Sequence, residues 1–358
     1  MNNNSFKIGN KQINANSKTY FIADIAANHD GDIQRAKDLI LLAHKAGADA
    51  VKMQHHNVKK YVSDYGFKQL GSKQSHQTNW EKSIFEIYKD AQVSLDWTPI
   101  LKEYSDQIGI EFFSTPYDLD MIEHINPYVN TYKIGSGDLN WDEMLIKIAK
   151  TGKPVLIASG ASNIGEVQHA VNLLKQYTSN IVLFQCNTNY TGSIENMKFI
   201  NLNVLKTYAT MFPDVILGLS DHTHGDISVL GSVALGAKVI EKHFTDDTTR
   251  NGPDHPFSMD PKSWRQMVDN VRLLESSLGN TIKKVEENEK QTVVLQRRAI
   301  RIIKDIKIGD IITDDCIEFQ RPAPSDCFIA NDINKVLNKK LIKNIDIGDY
   351  LRIEHIGD

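Results

Sequence analysis

Two lysines sit inside runs of otherwise apolar residues: Lys52 in Val51-Lys-Met-Gln and Lys133 in Tyr132-Lys-Ile-Gly. An ammonium group within an apolar strand is costly to desolvate, so each needs an anionic partner. A small molecule bearing both a phosphate and a carboxylate would serve the pair; a neighbouring carboxylate side chain is the alternative. Ser136, between Gly135 and Gly137, and the segment Ser114-Thr115-Pro116 add hydroxyl and backbone donors of the kind that hold such an anion.

Two histidines, His222 in Gly218-Leu-Ser-Asp-His-Thr and His243 in Glu241-Lys-His-Phe-Thr, each close a β-branched or apolar run. Adjacent strands lie about 4.8 Å apart, so imidazoles at matching heights could share one divalent ion. Two protein ligands would leave open positions and a Lewis-acid role. Nitrogen donors leave manganese, zinc, iron and cobalt all open, and two structural histidines are the competing reading. Acid and base chemistry needs carboxylates nearby. Asp24, Asp138, Asp221 and Asp254 are the candidates, although an Asp in a Gly/Pro loop such as Arg250-Asn-Gly-Pro-Asp also serves as a plain turn former.

The elements that must position these groups follow a regular plan. Strand runs are expected at Phe21–Ala26, Ala50–Gln54, Glu111–Thr115, Thr131–Gly135, Pro154–Ser159, Ile181–Asn187, Val215–Ser220 and Lys238–Phe244. Helical periods follow, among them Ile33–Ala46, Trp141–Lys150, Ile164–Tyr177, Ser228–Leu235 and Pro261–Leu278. Eight such units predict an α/β fold, a (β/α)8 TIM barrel over residues 1–280, with its site where the strands end. The charged stretch 281–297 reads as a linker. Beyond it, Lys304-Asp-Ile-Lys-Ile-Gly-Asp-Ile-Ile is echoed by Lys343-Asn-Ile-Asp-Ile-Gly-Asp-Tyr-Leu, which predicts a strand, Gly turn, strand repeat in a small mostly-β domain, 298–358.

Composition excludes several classes. A formal net charge of -4 offers no basic excess for a phosphate backbone, so nucleic acid is not an expected partner. Met1 to Ser17 is polar and no apolar run is long enough to span a bilayer, so no membrane association is expected and a cytoplasmic location is. Cys186, Cys316 and Cys327 match no zinc or disulfide spacing and read as reduced thiols, the first packed and the others semi-exposed.

Taken together, Ile22-Ala-Asp-Ile-Ala-Ala-Asn-His-Asp-Gly, Ala50-Val-Lys-Met-Gln, Phe113-Ser-Thr-Pro-Tyr, Tyr132-Lys-Ile-Gly-Ser-Gly-Asp, Gly218-Leu-Ser-Asp-His-Thr, Lys242-His-Phe-Thr and Gly252-Pro-Asp resemble the sialic acid synthase family over nearly the whole chain. The C-terminal part is similar to that family's antifreeze-like, or SAF (β-clip), domain. The resemblance implies that His222 and His243 hold a divalent metal, manganese first, with magnesium or cobalt as substitutes. It implies that Lys52, Lys133, Ser136, Ser114 and Thr115 bind phosphoenolpyruvate with Gln54 close by, that Asp24, Asp138, Asp254, Asn79 and Tyr190 face an N-acylated mannosamine-type sugar, and that Ser220 is a further substrate-binding residue. Arg321 would contact the N-acyl group from a neighbouring subunit, which implies a domain-swapped homodimer.

The implied reaction joins the enol carbon of phosphoenolpyruvate to the open-chain sugar aldehyde. Water then adds to the oxocarbenium carbon and phosphate leaves by C–O cleavage, with Asp24 or Asp138 orienting the water and both lysines offsetting charge. Family members commonly carry Glu where this chain has Asp24 and Asp138, a shortening worth about 1–3 kcal/mol in substrate discrimination. The sugar is therefore expected to be N-acetylmannosamine or a variant, including a 2,4-diacetamido-2,4,6-trideoxyhexose. The rivals from other classes are a Schiff-base aldolase with Lys133 as nucleophile and a non-catalytic sugar-binding barrel.

Overall fold

In a computed structural model the protein is described over residues 4–70, 82–190 and 192–357. Two compact units divide it, Met1–Gly279 and Asn280–Asp358. The first opens with a hairpin, β1 (Ser5–Ile8) and β2 (Lys11–Asn14), where the sequence suggested only a polar lead-in. Phe6, Ile8 and Ile13 are buried in the main core. Asn4 donates to the carbonyls of Ser179 and Asp214, just ahead of two barrel strands, so the hairpin closes the barrel end opposite the strand C-termini.

The barrel strands are β3 (Tyr20–Asp24), β4 (Ala50–His55), β5 (Glu111–Pro116), β6 (Tyr132–Ile134), β7 (Val155–Ala158), β8 (Ile181–Cys186), β9 (Ile216–Asp221) and β10 (Val239–His243). All pair in parallel, and β10 closes on β3. Each lies within two residues of its expected bounds. The crossover helices begin where side chains can meet orphan backbone donors. Asp32 accepts from Gln34 N at 2.7 Å and Arg35 N at 3.3 Å ahead of Ile33–Ala46, and that helix ends at Gly47, whose φ of 96° suits glycine. Asn163 and Glu166 form a capping box before Ile164–Lys175. Pro261–Leu278 buries Trp264, Met267, Val268 and Val271 along one face. Three short helices, Val58–Tyr61, Asp64–Gln69 and Ile84–Asp90, lie in the long β4–β5 connection. No helix among the described residues is long and apolar enough to cross a membrane.

In the second unit a helix, Lys290–Gln296, occupies part of the expected linker. β11 (Ala299–Ile302) pairs with β12 (Ile317–Gln320), and β13 (Lys340–Leu341) with β14 (Ile356–Gly357). The two Gly-centred repeats are not strand–turn–strand hairpins, as expected; they are turns, each clasping the other half's strand. Gly309 N donates to Leu341 O and Gly348 N to Ile302 O, both at 2.7 Å, while Ile312 N reaches Lys339 O and Leu351 N reaches Ile300 O, both at 2.9 Å. The repeat is thus an internal two-fold exchange: each turn closes on itself, Asp310 N to Lys307 O and Asp349 N to Asp346 O, and its glycine N–H is met by a strand of the other half. Cys316, expected to be semi-exposed, is buried in this unit's core with Ile300, Ile302 and Val336, and its Sγ donates to Thr313 O at 3.0 Å.

Candidate active site

Register explains why the chemistry-bearing residues converge. His243 pairs across to Asp24, and Asp24 to Lys52, so three groups from β10, β3 and β4 stand in one row facing the barrel interior. Ser220 and Glu241 pair across β9 and β10, and Cys186 pairs with Ser220. One cavity at the strand C-termini is lined by Asp24, Lys52, Gln54, Lys133, Ser136, Asp138, Tyr190, Ser220, His222 and His243, all residues singled out from the sequence, and also by Glu241, Cys186, Tyr61 and Tyr117. Asp254 borders an adjoining lobe with Gln54, Tyr190 and His243.

Glu241 was missed, yet it is the central anion. Its Oε1 lies 3.2 Å from Lys133 Nζ and 3.5 Å from Lys52 Nζ, and it accepts from Ser220 Oγ at 3.1 Å. Strand alternation was the available signal: Glu241 is two residues before His243 and so shares its face. Lys52 also meets Asp24 at 2.8 Å, and Gln54 donates to the same carboxylate oxygen at 3.1 Å. Each buried lysine therefore has a carboxylate partner within the barrel.

Burial pulls Lys133 below the ordinary lysine range, against the opposing pull of Glu241. Burial acts on Lys52 too, but Asp24 and Glu241 outweigh it and hold the ammonium above its usual value. For Glu241 the two lysines overcome desolvation and bring it to about 2. Asp24 is raised, by burial and by nearby Glu241 acting against Lys52. Asp138 is pushed up to about 6 by burial, and Asp254 to about 7 by burial together with Asp24. Ion-paired lysines and Glu241 thus stand close to carboxylates, Asp138 in the cavity and Asp254 in the adjoining lobe, that are shifted toward neutrality.

The His222 and His243 ring centroids are 5.3 Å apart. His222 Nδ1 lies 2.9 Å from the Asn187 carbonyl oxygen, which can only accept, so that nitrogen carries the hydrogen and Nε2 keeps its lone pair. His243 Nδ1 is buried and has no hydrogen-bond partner among the described residues. Burial takes both rings down to about 3, aided for His222 by His243 and for His243 by Lys52. Both are therefore neutral, as metal ligands must be, and the donor set fits one divalent ion. Among the described residues no group of three or more His, Cys, Asp or Glu is arranged to hold a metal, so the remaining positions would belong to water or substrate.

Other expected residues lie elsewhere. Ser114 points to the outer side of the barrel, where its Oγ meets His55 Nδ1 at 2.6 Å and Met53 O at 2.9 Å. The reason is the two-residue period of β5: Thr115, its neighbour, faces inward and accepts from Lys52 Nζ at 3.3 Å. The same parity turns Asp221 away from the cavity and into an outer pair with Lys242. Arg321 follows β12 in the second unit and is exposed. Asn79 lies outside the described residues.

The model of the NeuB family matches residues 39–283, and that of the SAF domain residues 297–357. An uncharacterized protein of Methanocaldococcus jannaschii is 38% identical over 340 residues, 94% of each chain. The N,N'-diacetyllegionaminic acid synthase of Campylobacter jejuni is 33% identical over 310 residues, 86% of this chain and 91% of that one. A crystal structure of N-acetylneuraminic acid (sialic acid) synthetase from Leptospira borgpetersenii, in complex with citrate, aligns with a TM-score of 0.70 at 28% identity, covering 81% of this chain and 95% of that one. With a closed eight-stranded barrel, a cavity of paired lysines and carboxylates at its mouth and a C-terminal SAF domain, the chain belongs to the NeuB family of sialic acid synthases and is an enzyme of that type.

Proposed function

We propose that the protein condenses phosphoenolpyruvate with an N-acylated, mannosamine-type amino-sugar aldehyde to give a nonulosonic acid and inorganic phosphate. The observation that carries this reading is the meeting of Lys52 and Lys133, both buried, with the His222–His243 pair at one barrel mouth. Two ammonium groups about one cavity suit a ligand with a phosphate and a carboxylate, which would take over the contacts that Asp24 and Glu241 now make.

His222 and His243 would hold a divalent ion, manganese in our reading, which supplies Lewis-acid polarisation of the sugar carbonyl. Lys52 and Lys133 orient the enol phosphate and offset charge as the C–O bond to phosphate breaks. Asp138, with its carboxyl near 6, orients the water that adds to the former enol carbon and takes its proton. Tyr190, 4.4 Å from the His222 ring centroid to centroid, walls the site against bulk water on the histidine side. The sixth barrel strand, β8, carries no lysine, and the 3.2 Å ion pair of Lys133 with Glu241 favours its ammonium form over the free amine that a Schiff base needs.

The test is phosphate release from phosphoenolpyruvate by purified, manganese-loaded protein, over a panel of acylated mannosamines and deoxy analogues, with the product identified by mass spectrometry. A sugar-dependent release and a nonulosonic acid mass are expected. Absence of release with every sugar would overturn the reading.

A further inference from the structure

Ser136 stands on the cavity wall, in the turn Ser136–Asp138 that follows β6. Its Oγ accepts from the backbone N–H of Gly160 at 3.0 Å. A hydroxyl has one hydrogen and two lone pairs, so an oxygen that accepts from a fixed N–H keeps its own hydrogen to give. Cys186 lies beside it on the same wall, and a thiol sulfur is a poor acceptor that an anionic oxygen displaces.

Gly160 follows the end of β7 and is buried. The chain just before it is locked. Ser159 N and Ser159 Oγ both donate to the Phe184 carbonyl oxygen, at 3.2 and 2.8 Å, and Tyr208 Oη donates to Ser159 Oγ at 3.0 Å. Ser159 and Tyr208 are themselves buried. The amide that meets Ser136 therefore belongs to a fixed strand end. Position 160 also has no room for a side chain. Its φ lies outside the left-handed region, so any residue could adopt the backbone there, and the reason for glycine is space. A Cβ would fall 2.8 Å from Ser136 Oγ and 3.2 Å from Cys186 Sγ, and closest of all to the Thr188 methyl carbon. A methyl group so placed would push Ser136 off the amide.

We propose that Gly160 is a positioning residue for the anion site: its N–H pins a lone pair of Ser136 and so turns the hydroxyl hydrogen toward the ligand, and its missing side chain lets the two segments approach closely enough for that bond. Gly160 does not itself line the cavity and acts through Ser136. The proposal rests on the synthase reading above, with Ser136 as a donor to phosphoenolpyruvate, and adds to it the residue that orients that donor. A hydroxyl already turned toward an anion loses less rotational freedom on binding than a free rotor does, so its hydrogen bond costs less to form.

The experiment measures phosphoenolpyruvate binding by calorimetry, in manganese-loaded protein without sugar, across a double-mutant cycle. Ser136→Ala and Gly160→Ala should each weaken binding about 10-fold, the size of a hydrogen bond to a charged group. The double variant should bind within about 2-fold of Ser136→Ala alone, because Gly160 then has nothing left to position. Manganese affinity, which a general disturbance of the barrel mouth would change, should stay at the wild-type value in Gly160→Ala. Thr188→Ser removes the nearest obstacle, so Gly160→Ala in a Thr188→Ser chain, compared with Thr188→Ser, serves if Gly160→Ala alone does not fold. A Gly160→Ala protein that binds phosphoenolpyruvate as tightly as the wild type overturns the proposal. So does a loss that multiplies in full with that of Ser136→Ala, or one matched by an equal loss of manganese affinity. Failure of the synthase reading looks different. Phosphoenolpyruvate bound with the expected pattern of losses, but no phosphate released with any sugar, leaves Gly160 in its role and sinks the synthase; sugar-dependent turnover with an indifferent Gly160→Ala does the reverse.

Discussion

Lys242 Nζ and Asp221 Oδ2 meet at 2.6 Å on the outer face of two adjacent barrel strands, each one residue from an inward-facing histidine. Both are almost wholly buried, and Asp221 also accepts from Ser228 and Thr223. This knot fixes the ends of β9 and β10, and with them the separation of His222 and His243. Removing one partner strands the other charge in the protein interior. Lys242→Met is therefore expected to destabilise the fold by about 3–5 kcal/mol, read from urea unfolding, and pairing it with Asp221→Leu should restore much of the loss. A Lys242→Met protein as stable as the wild type would show that the pair does not lock the strand ends.

The two imidazoles lead to a binding prediction independent of turnover. His222→Ala and His243→Ala should each weaken manganese binding by at least about 10-fold in calorimetry. Chelation should abolish phosphate release and added manganese restore it. Borohydride treatment with pyruvate, the trap for a Schiff-base lysine, should leave the protein mass unchanged; a stable adduct on Lys133 would favour the aldolase rival.

Lys133 is paired to Glu241 and lies within 5.3 Å of the Phe184 ring centroid, so its charge is held in a dry site. Lys133→Met should weaken phosphoenolpyruvate binding by about 10²-fold or more, most of it from the unpaired Glu241 left behind. Unchanged affinity for phosphoenolpyruvate would remove Lys133 from the anion site.

Asp138 sets a pH expectation. Burial raises its carboxyl from 3.8 to about 6. In the unfolded chain it titrates at the ordinary value, so between these two values the folded state binds the extra proton. Its stabilising contribution is thus fully present below the ordinary value and fades as pH rises through about 6. Catalysis runs the other way, since water orientation needs the carboxylate: log kcat/KM should fall as pH drops below about 6. Asp138→Asn should flatten both trends, at a large cost in kcat. An acid limb that survives in this variant belongs to another group.

The implied homodimer can be tested by complementation. If Arg321 serves the neighbouring subunit's barrel, mixed Lys133→Met and Arg321→Ala chains should reassemble about a quarter of the wild-type sites, because half the random dimers are mixed and each holds one intact site. Phosphate release by the mixture, compared with each variant alone, gives the answer. No recovery, or a monomer in sedimentation, would place Arg321 in its own chain's site or in none.

Much of this protein was legible in its sequence because local chemistry agreed with the global fold. The β-branched runs and the helical periods of the crossover segments specify barrel strands and helices by nearest-neighbour rules alone, and Lys52, Lys133, His222 and His243 announce themselves as polar groups in or at the ends of strands that should be apolar. What the chain could not reveal by itself was facing and register. Ser114 and Thr115 are adjacent in sequence yet lie on opposite sides of the barrel wall; Glu241 looks like one more charge until pairing sets it between two lysines. The C-terminal repeats read as hairpins because a Gly turn between isoleucines usually is one, whereas each turn's glycine here bonds to the strand that precedes the other copy. Periodicity is a property of neighbours along the chain, but a cavity is made by residues brought together from different strands, and only their register decides which atoms meet.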